Sequence, residues 1–100
     1  MTESELYTLL SSEFNVAYDH FDKKVEPPFV IYAFDRLDTF KADDLNYLKE
    51  NRYIIYLITD KKDTTLEAKM ETLLDTNGIL YDKDEYFISN ERMYQIEYSI

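Results

Sequence analysis

The fold is decided by the stretch from Thr59 to Ile79, which reads TDKKDTTLEAKMETLLDTNGI. Thr64 and Glu67 have the spacing of a capping box, and Asp63 is an alternative N-cap, so a helix begins here. One face of that helix is apolar, because four residues recur at helical spacing: Leu66, Met70, Leu73 and Leu74. Asn77-Gly78 ends the helix, since glycine readily takes positive φ after a last turn. The stretch therefore predicts the end of a strand, a capped helix and a stop.

The segments on either side of this helix have the composition of strands. Residues 52–59 contain the run YIIYLI, which predicts a strand buried on both faces. Residues 93–100 alternate, so that their tyrosines and isoleucines point to one side. We expect the apolar helix face to pack on the sheet that contains Ile54, Tyr56 and Ile58 or their alternates.

Towards the N-terminus the pattern is helix, irregular connection and strand. Thr2 and Glu5 form another capping box, which opens a predicted helix from about residue 3 to residue 14. Residues 15–26 mix charges with scattered apolar side chains and predict an irregular connection. Pro27 and Pro28 enforce extended backbone, and the aromatic and β-branched residues 29–34 predict a strand.

The remaining segments are less regular. The polar residues 35–38 predict a turn, and residues 39–42 a short strand after it, whereas residues 43–51 fit neither a helix nor a strand. Residues 79–81 begin a strand, which the acidic residues 82–85 interrupt before residues 86–88 resume it. Together the segments predict a single α+β domain over residues 1–100, with a mostly antiparallel sheet and two helices packed on one face.

The composition excludes several kinds of chemistry. The chain has no cysteine, so disulfides, thiolate catalysis and cysteine-based zinc sites are excluded. Its single glycine cannot build a glycine-rich nucleotide loop, and the acidic run from Asp82 to Glu85 lacks the glycine of a calcium loop. The one histidine, His20, has no second histidine to complete a zinc site, which favours an ordinary surface side chain. We predict no catalytic, cofactor-binding or metal-binding residues, and hence no enzyme.

The net charge is −10, from 21 acids against 11 bases. Such a surface repels phosphate backbones and anionic lipids, so we expect no specific nucleic-acid binding and no membrane association. Three explanations of the acidity stay open: solubility of a tyrosine-rich domain, mimicry of DNA, or a surface that DNA passes without sticking. Ten tyrosines exceed what one small core can hide, and tyrosine is favoured at protein interfaces. No secretory signal and no apolar run of ~20 residues is evident, so a cytosolic protein is expected.

From Pro27 onward, the order of the sequence segments is a more specific signal than any one segment alone. PPFVIYAF is followed by FKADDLNYLKENRYIIYLITDKKDTTLEAKMETLL, and then by GILYDKDEYFISNERMYQIEYSI. The most specific piece is a strand ending in Thr-Asp, then Lys62 and Glu67 at the start of a helix, a Gly-Ile step, and a closing strand from Glu91 to Tyr98. Over about three-quarters of its length the chain resembles the small tail-completion, or tail-terminator-like, proteins of long-tailed bacteriophages and prophages of Gram-positive bacteria.

The resemblance implies a structural role in the virion. Such proteins form rings at the head-proximal end of the tail, stop growth of the tail tube, and create the surface that joins the head connector. It therefore implies a ring of identical subunits, six by resemblance, with tail-tube and head-connector proteins as partners and assembly in the host cytoplasm. The resemblance implies no catalytic residues. A subunit that is monomeric when alone in solution is compatible with this role.

The ring interface is expected to use exposed tyrosines, the edge strands of the sheet and the charged residues of two loops. Those charged residues are Arg36, Asp38, Lys41, Asp43, Lys61 and Lys62. Three alternatives stay open beside the terminator: a neighbouring neck protein of the phage, an acidic DNA mimic, and an adaptor-type binding protein.

Overall fold

A computed structural model describes residues 1–41 and 47–100 of the chain. Over these residues the chain forms two helices and five strands: α1 (Glu3–Ser11), β1 (Val16–Tyr18), β2 (Phe29–Lys41), β3 (Tyr47–Thr59), α2 (Thr64–Thr76), β4 (Asp82–Ile88) and β5 (Met93–Ser99). The strands form one sheet in the order β1-β2-β3-β5-β4, in which β1 is parallel to β2 and the other neighbours are antiparallel. The predicted α+β class with a mostly antiparallel sheet is confirmed.

Both helices begin with side-chain caps. At α1 the Thr2 hydroxyl accepts from the Glu5 N–H at 3.2 Å, and the Glu5 carboxylate accepts from the Thr2 N–H at 2.9 Å, so the predicted capping box is present. At α2 the cap is Asp63, whose carboxylate accepts from two backbone N–H groups at 3.1 Å each. The predicted capping box of Thr64 with Glu67 is therefore wrong, because the Glu67 carboxylate pairs with Lys62 and Lys83.

The end of α2 follows the sequence closely. Gly78 has φ +68°, and the Ile79 N–H donates to the Leu74 carbonyl at 2.9 Å, which closes the last turn. Helix α1 ends at Ser11, earlier than the predicted residue 14, although Phe14 still packs against the core.

The core lies between the two helices and one face of the sheet. Pairing in register places Leu57 between Val30 and Ile96, so these three side chains share that face. The buried cluster contains Leu6, Leu10, Val16, Val30, Tyr32, Tyr53, Ile55, Leu57, Met70, Leu74, Ile96 and Tyr98. The predicted apolar face of α2 thus packs on the alternates of Ile54, Tyr56 and Ile58. Burial of apolar surface stabilises a protein by about 25 cal/mol per Å². This buried layer is therefore the main source of the stability of the fold.

The sheet face opposite the helices is called the open face here. Ile54 and Tyr56 are only half-buried on it, so the prediction that residues 52–59 are buried on both faces is wrong for most of the strand. Ile58 is the exception and is nearly buried. It pairs with Phe29, whose ring lies 5.4 Å from that of Phe21 in the connection after β1. The helices cover one face, and this connection covers only one end of the other.

Three predicted irregular segments are partly strand. Residues 15–26 contain β1, a strand too short for its alternation to be visible. Residues 35–38, predicted as a turn, continue β2, because both faces meet water there and polar side chains do not oppose a strand. Residues 47–51 belong to β3, while residues 43–46 lie outside the described residues.

The predicted start of a strand at residues 79–81 is also wrong. Strand β4 begins at Asp82, and it includes the acidic residues that were expected to interrupt it. It is an edge strand, and charged side chains are common on such strands because they hinder pairing with another chain.

Candidate subunit interface

Strands β2 and β3 extend beyond the rest of the sheet as a two-stranded arm. Strand β1 pairs only with residues 30–32 of β2, and β5 pairs only with residues 54–59 of β3. Within the described ranges, residues 35–41 and 47–52 therefore pair only with each other, and we call these residues the arm. The molecule measures 50 × 27 × 25 Å, and its radius of gyration of 14.9 Å exceeds the ~13 Å of a compact chain of this length. Among the residues that the structure describes, the arm thus has two strand edges without partners.

A bulge at the base of the arm decides which side chains face which way. The register shifts between Phe34 and Arg36, so β2 contains one extra residue there. Beyond the shift, Arg36 lies opposite Arg52, Asp38 opposite Glu50, and Phe40 opposite Leu48. These pairs continue the open face, because β3 alternates without interruption from residue 48 to residue 58.

Ion pairs fix the base of the arm. Asp38 accepts from Arg36 Nε at 2.9 Å and from Arg52 Nε at 2.8 Å. Arg52 also lies 3.4 Å from a Glu50 carboxylate oxygen and donates to the Ile100 carbonyl at 3.1 Å. The hydrogen bonds from Arg52 and Arg36 hold the pKa of Asp38 below its usual range. Two predicted interface residues, Arg36 and Asp38, thus belong to one charged cluster that ties the arm to the C-terminal end of the chain.

The arm and its base expose large apolar side chains. Phe34, Leu37, Phe40 and Leu48 are between 40% and 58% exposed. A two-stranded ribbon alone is marginally stable in water, and nearby exposed apolar side chains are typical of an interaction site. Phe40 and Leu48 form a cross-strand pair near the outer end of the arm, and we call this pair the arm tip.

Lys61 and Lys62, the other predicted interface residues, lie at the opposite end of β3. Lys61 is exposed, whereas Lys62 lies 2.8 Å from a Glu67 carboxylate oxygen and also contacts Glu85. These hydrogen bonds raise the pKa of Lys62 to about 12. About 23 Å of strand separates Arg52 from Thr59 at ~3.3 Å per residue, so one subunit does not bring the two charged groups together.

Two further predicted interface residues are Lys41 and Asp43. Lys41 lies in β2, at the outer end of the arm. Asp43 falls outside the described residues. Their part in an interface stays a prediction.

Sequence reasoning missed the arm and its apolar residues. Leu37 and Phe40 stand three residues apart, which does not suit the alternation of a strand with one apolar face. The spacing arises because the two side chains lie on opposite faces of the arm, Leu37 opposite Asn51 and Phe40 opposite Leu48. The one available signal was the resemblance in composition between residues 37–40 and 47–50, each a mixture of aromatic, aliphatic and polar residues.

Other kinds of site find little support in the part of the chain that the structure describes. There, no group of three or more His, Cys, Asp or Glu side chains is placed to hold a metal ion. His20 is exposed and lies 3.1 Å from Asp19 and 3.7 Å from Asp22. No helix among the same residues is long and apolar enough to cross a membrane.

No protein-family model matches this chain, and no curated protein does.

Proposed function

We propose that this protein is a structural ring subunit of a bacteriophage tail. In this role it caps the tail tube and joins it to the head connector, as the resemblance from Pro27 to Tyr98 implies. The subunit has no catalytic part, takes no cofactor, and functions within the virion after assembly in the host cytoplasm. The α+β fold with its open sheet edges is compatible with such a subunit.

The arm is the observation that carries the proposal. A ribbon that projects from the sheet gains little from packing within its own subunit, and Leu48 in it is 58% exposed. Contact with another protein would remove these side chains from water, at about 25 cal/mol per Å² of apolar area. A protein that assembles on a partner has a use for such an arm, whereas a small domain that acts alone has none.

The acidity is consistent with a ring that DNA traverses. A surface with a net charge of −10 per subunit does not bind phosphate groups, so DNA passes through the lumen without being held. The same charge opposes ring closure, because it brings many like charges together. Free subunits are therefore expected to be monomeric, and the tail tube acts as the template for the ring.

The interface is proposed to be heterologous, or head-to-tail, since that type closes into rings. Six subunits is the number that the resemblance implies. The two charged groups support this arrangement, because Arg36 and Asp38 lie in the arm while Lys61 and Lys62 follow the far end of β3. Neighbouring subunits in a head-to-tail ring bring opposite ends together.

Adding the purified protein to terminator-deficient tails tests the proposal. Electron microscopy should show an added ring at the tube ends, and mature heads should then join. The matched pair of variants is Leu48→Ser, on the arm, and Leu80→Ser, an exposed leucine outside it. We expect loss of capping with the first and none with the second.

Some outcomes would refute the proposed function. Tube ends without a ring, heads that still fail to join, and a two-fold dimer that dominates in solution would together do so. An acidic DNA mimic or an adaptor would also leave the tube ends unchanged, and the DNA mimic would in addition bind a DNA-binding protein in place of its DNA.

A further inference from the structure

An apolar pocket lies on the open face at the end of the sheet far from the arm. It is a surface cavity of about 460 Å³. Its apolar lining consists of Phe21, Val25, Phe29, Ile31 and Met93, and His20, Lys23, Lys24 and Glu91 also line it. We call it the far-end pocket. Its apolar residues come from the connection after β1 and from the first residues of β2 and β5, so the sheet itself forms its floor.

The arm tip and the far-end pocket lie at opposite ends of one ribbon. Leu48 belongs to the tip, whereas Ile58, which pairs with Phe29, marks the pocket end of β3. Ten residues separate them, or about 33 Å at ~3.3 Å per residue. A subunit is therefore unable to place its own tip in its own pocket, although both features lie on the same open face.

The charge distribution favours the arm as the place where a second copy makes contact. Residues 35–52, which include the segment joining the two strands of the arm, carry four bases and five acids, a net charge of −1 in a chain whose total is −10. The rest of the chain carries seven bases and sixteen acids, a net charge of −9. The nearly neutral arm is thus the part of this acidic protein that an identical acidic body repels least.

Local charges at the two features are also complementary. Among the described residues, neither Lys23 nor Lys24 forms a salt bridge. On the arm, Glu50 lies on the same face as Leu48, and its carboxylate is half-exposed with one long contact to Arg52 at 3.4 Å. A tip seated in the pocket would bring Glu50 towards these two lysines.

We infer that the arm tip of one subunit seats in the far-end pocket of the next copy. Phe40 and Leu48 then cover the apolar lining, and Glu50 faces Lys23 or Lys24. Each subunit donates a tip at one end and receives one at the other, which is a head-to-tail contact that closes into a ring. The inference rests on the ring assembly in the proposed function and names the surfaces that form it.

Chemical cross-linking of cysteine variants tests this contact, because the chain has no cysteine of its own. One sample of concentrated protein carries Leu48→Cys and a second carries Lys24→Cys, and the two are mixed with a short bismaleimide linker. We expect a heterodimer several-fold more abundant than either homodimer. The matched control replaces the second variant by Thr72→Cys, which places a cysteine at another exposed site, on α2.

A charge exchange provides the second measurement. For this measurement the cysteines are placed at Leu48 and Val25, so that both lysines are present. Glu50→Lys should lower the cross-link yield several-fold, because it places a cation beside Lys23 and Lys24. Changing both lysines to glutamate should restore the yield. All variants change exposed or half-exposed side chains, and a circular dichroism melt confirms that each is folded.

The results separate this inference from the proposed function. A yield no higher than that of the Thr72→Cys control, or a dominant Leu48→Cys homodimer, overturns the arm-to-pocket contact. If the added protein still caps tails in that case, the proposed function stands and only the contact is wrong. If the cross-link forms and the protein caps no tails, the contact stands and the proposed tail function is wrong.

Discussion

Replacing Glu67 by glutamine should destabilise the protein more than any surface charge change. The Glu67 side chain is 5% exposed and lies between two ammonium groups, Lys62 Nζ at 2.8 Å and Lys83 Nζ at 2.9 Å. Lys83 also lies 2.8 Å from Glu71, which accepts a hydrogen bond from the Tyr98 hydroxyl at 2.9 Å. Glu67 is therefore the buried centre of a network that joins α2 to the loop before it and to β4.

The size of the effect follows from which partners are buried. Hydrogen bonds to charged groups contribute about 1.5–3 kcal/mol each, and breaking a buried ion pair costs about 3–5 kcal/mol. The Lys62 and Lys83 side chains are 42% and 35% exposed and keep Glu85 and Glu71 as partners, so their loss is partly offset by water. We expect Glu67→Gln to lower the free energy of unfolding by about 2 kcal/mol at neutral pH. For a domain of this length that corresponds to a fall in Tm of about 8–16 °C.

The effect should depend on pH in a definite direction. Burial by itself raises the pKa of Glu67, but the hydrogen bonds and charges of Lys62 and Lys83 outweigh it and hold the pKa below its ordinary value. A lowered carboxyl pKa stabilises the fold above the pKa of the unfolded chain, about 4.3, and this stabilisation is lost as the pH falls through the folded value. Glutamine resembles the protonated acid, so the difference between the two proteins should shrink as the pH is lowered from neutral to below about 4.3.

Urea melts at both pH values measure this difference directly. The matched control is Glu13→Gln, which breaks an ion pair with Lys69 in which both side chains are nearly half exposed, and it should cost less than about 0.5 kcal/mol. A Glu67→Gln loss as small as that of the control would refute the reasoning. A loss that is equally large at neutral and acid pH would show that packing, and not charge, is responsible.

Three further predictions concern the core and the absence of ligands. Leu74→Ala should cost about 2–5 kcal/mol because Leu74 is fully buried, and Leu73→Ala should cost less because Leu73 is half-buried; equal losses in urea melts would contradict this helix orientation. Double-stranded DNA should not shift in a gel at physiological salt, because the net charge of −10 offers few cations to neutralise phosphates, and micromolar binding would disprove it. Elemental analysis of protein purified without a metal-affinity step should find no stoichiometric transition metal, since the chain lacks cysteine and a second histidine; one metal ion per chain would disprove it.

Local signals in the sequence were sufficient for the helices and the core strands. The ends of a helix leave backbone groups unpaired. Thr2 with Glu5 and Asp63 provide partners at the two helix starts, and Gly78 lets the last turn of α2 close. The alternation of residues 93–100 likewise reflects a sheet with one buried face, which Ile96 and Tyr98 confirm. These features depend on near neighbours in the chain, and near neighbours are visible in a sequence.

The arm was missed because its reasons are not local. Three of the four residues from Asp35 to Asp38 are charged, and such polarity predicts a turn only where the alternative is a buried strand. On a ribbon with water on both faces, the same residues are compatible with a strand, and Asp38 is held by Arg52 from the neighbouring strand. Glu67 was misread for a similar reason, because its spacing from Thr64 suits a capping box while Lys83 lies in a distant strand.

The bulge at the base of the arm links these observations to assembly. If β2 continued past Phe34 without a bulge, regular alternation would place Leu37 and Thr39 on the open face and turn Phe40 to the other side. The cross-strand pair of Phe40 with Leu48 would then not exist, and the arm would present no apolar tip on the face that carries the far-end pocket. The bulge therefore places the tip on the same face as the pocket, and the charged cluster of Arg36, Asp38 and Arg52 lies directly beyond it. Because the arm is nearly neutral and the body strongly acidic, contact through the tip lets identical subunits meet where repulsion is least. In the proposed ring, repulsion between the bodies still opposes closure, and for this reason we expect assembly to need a tail tube as a template.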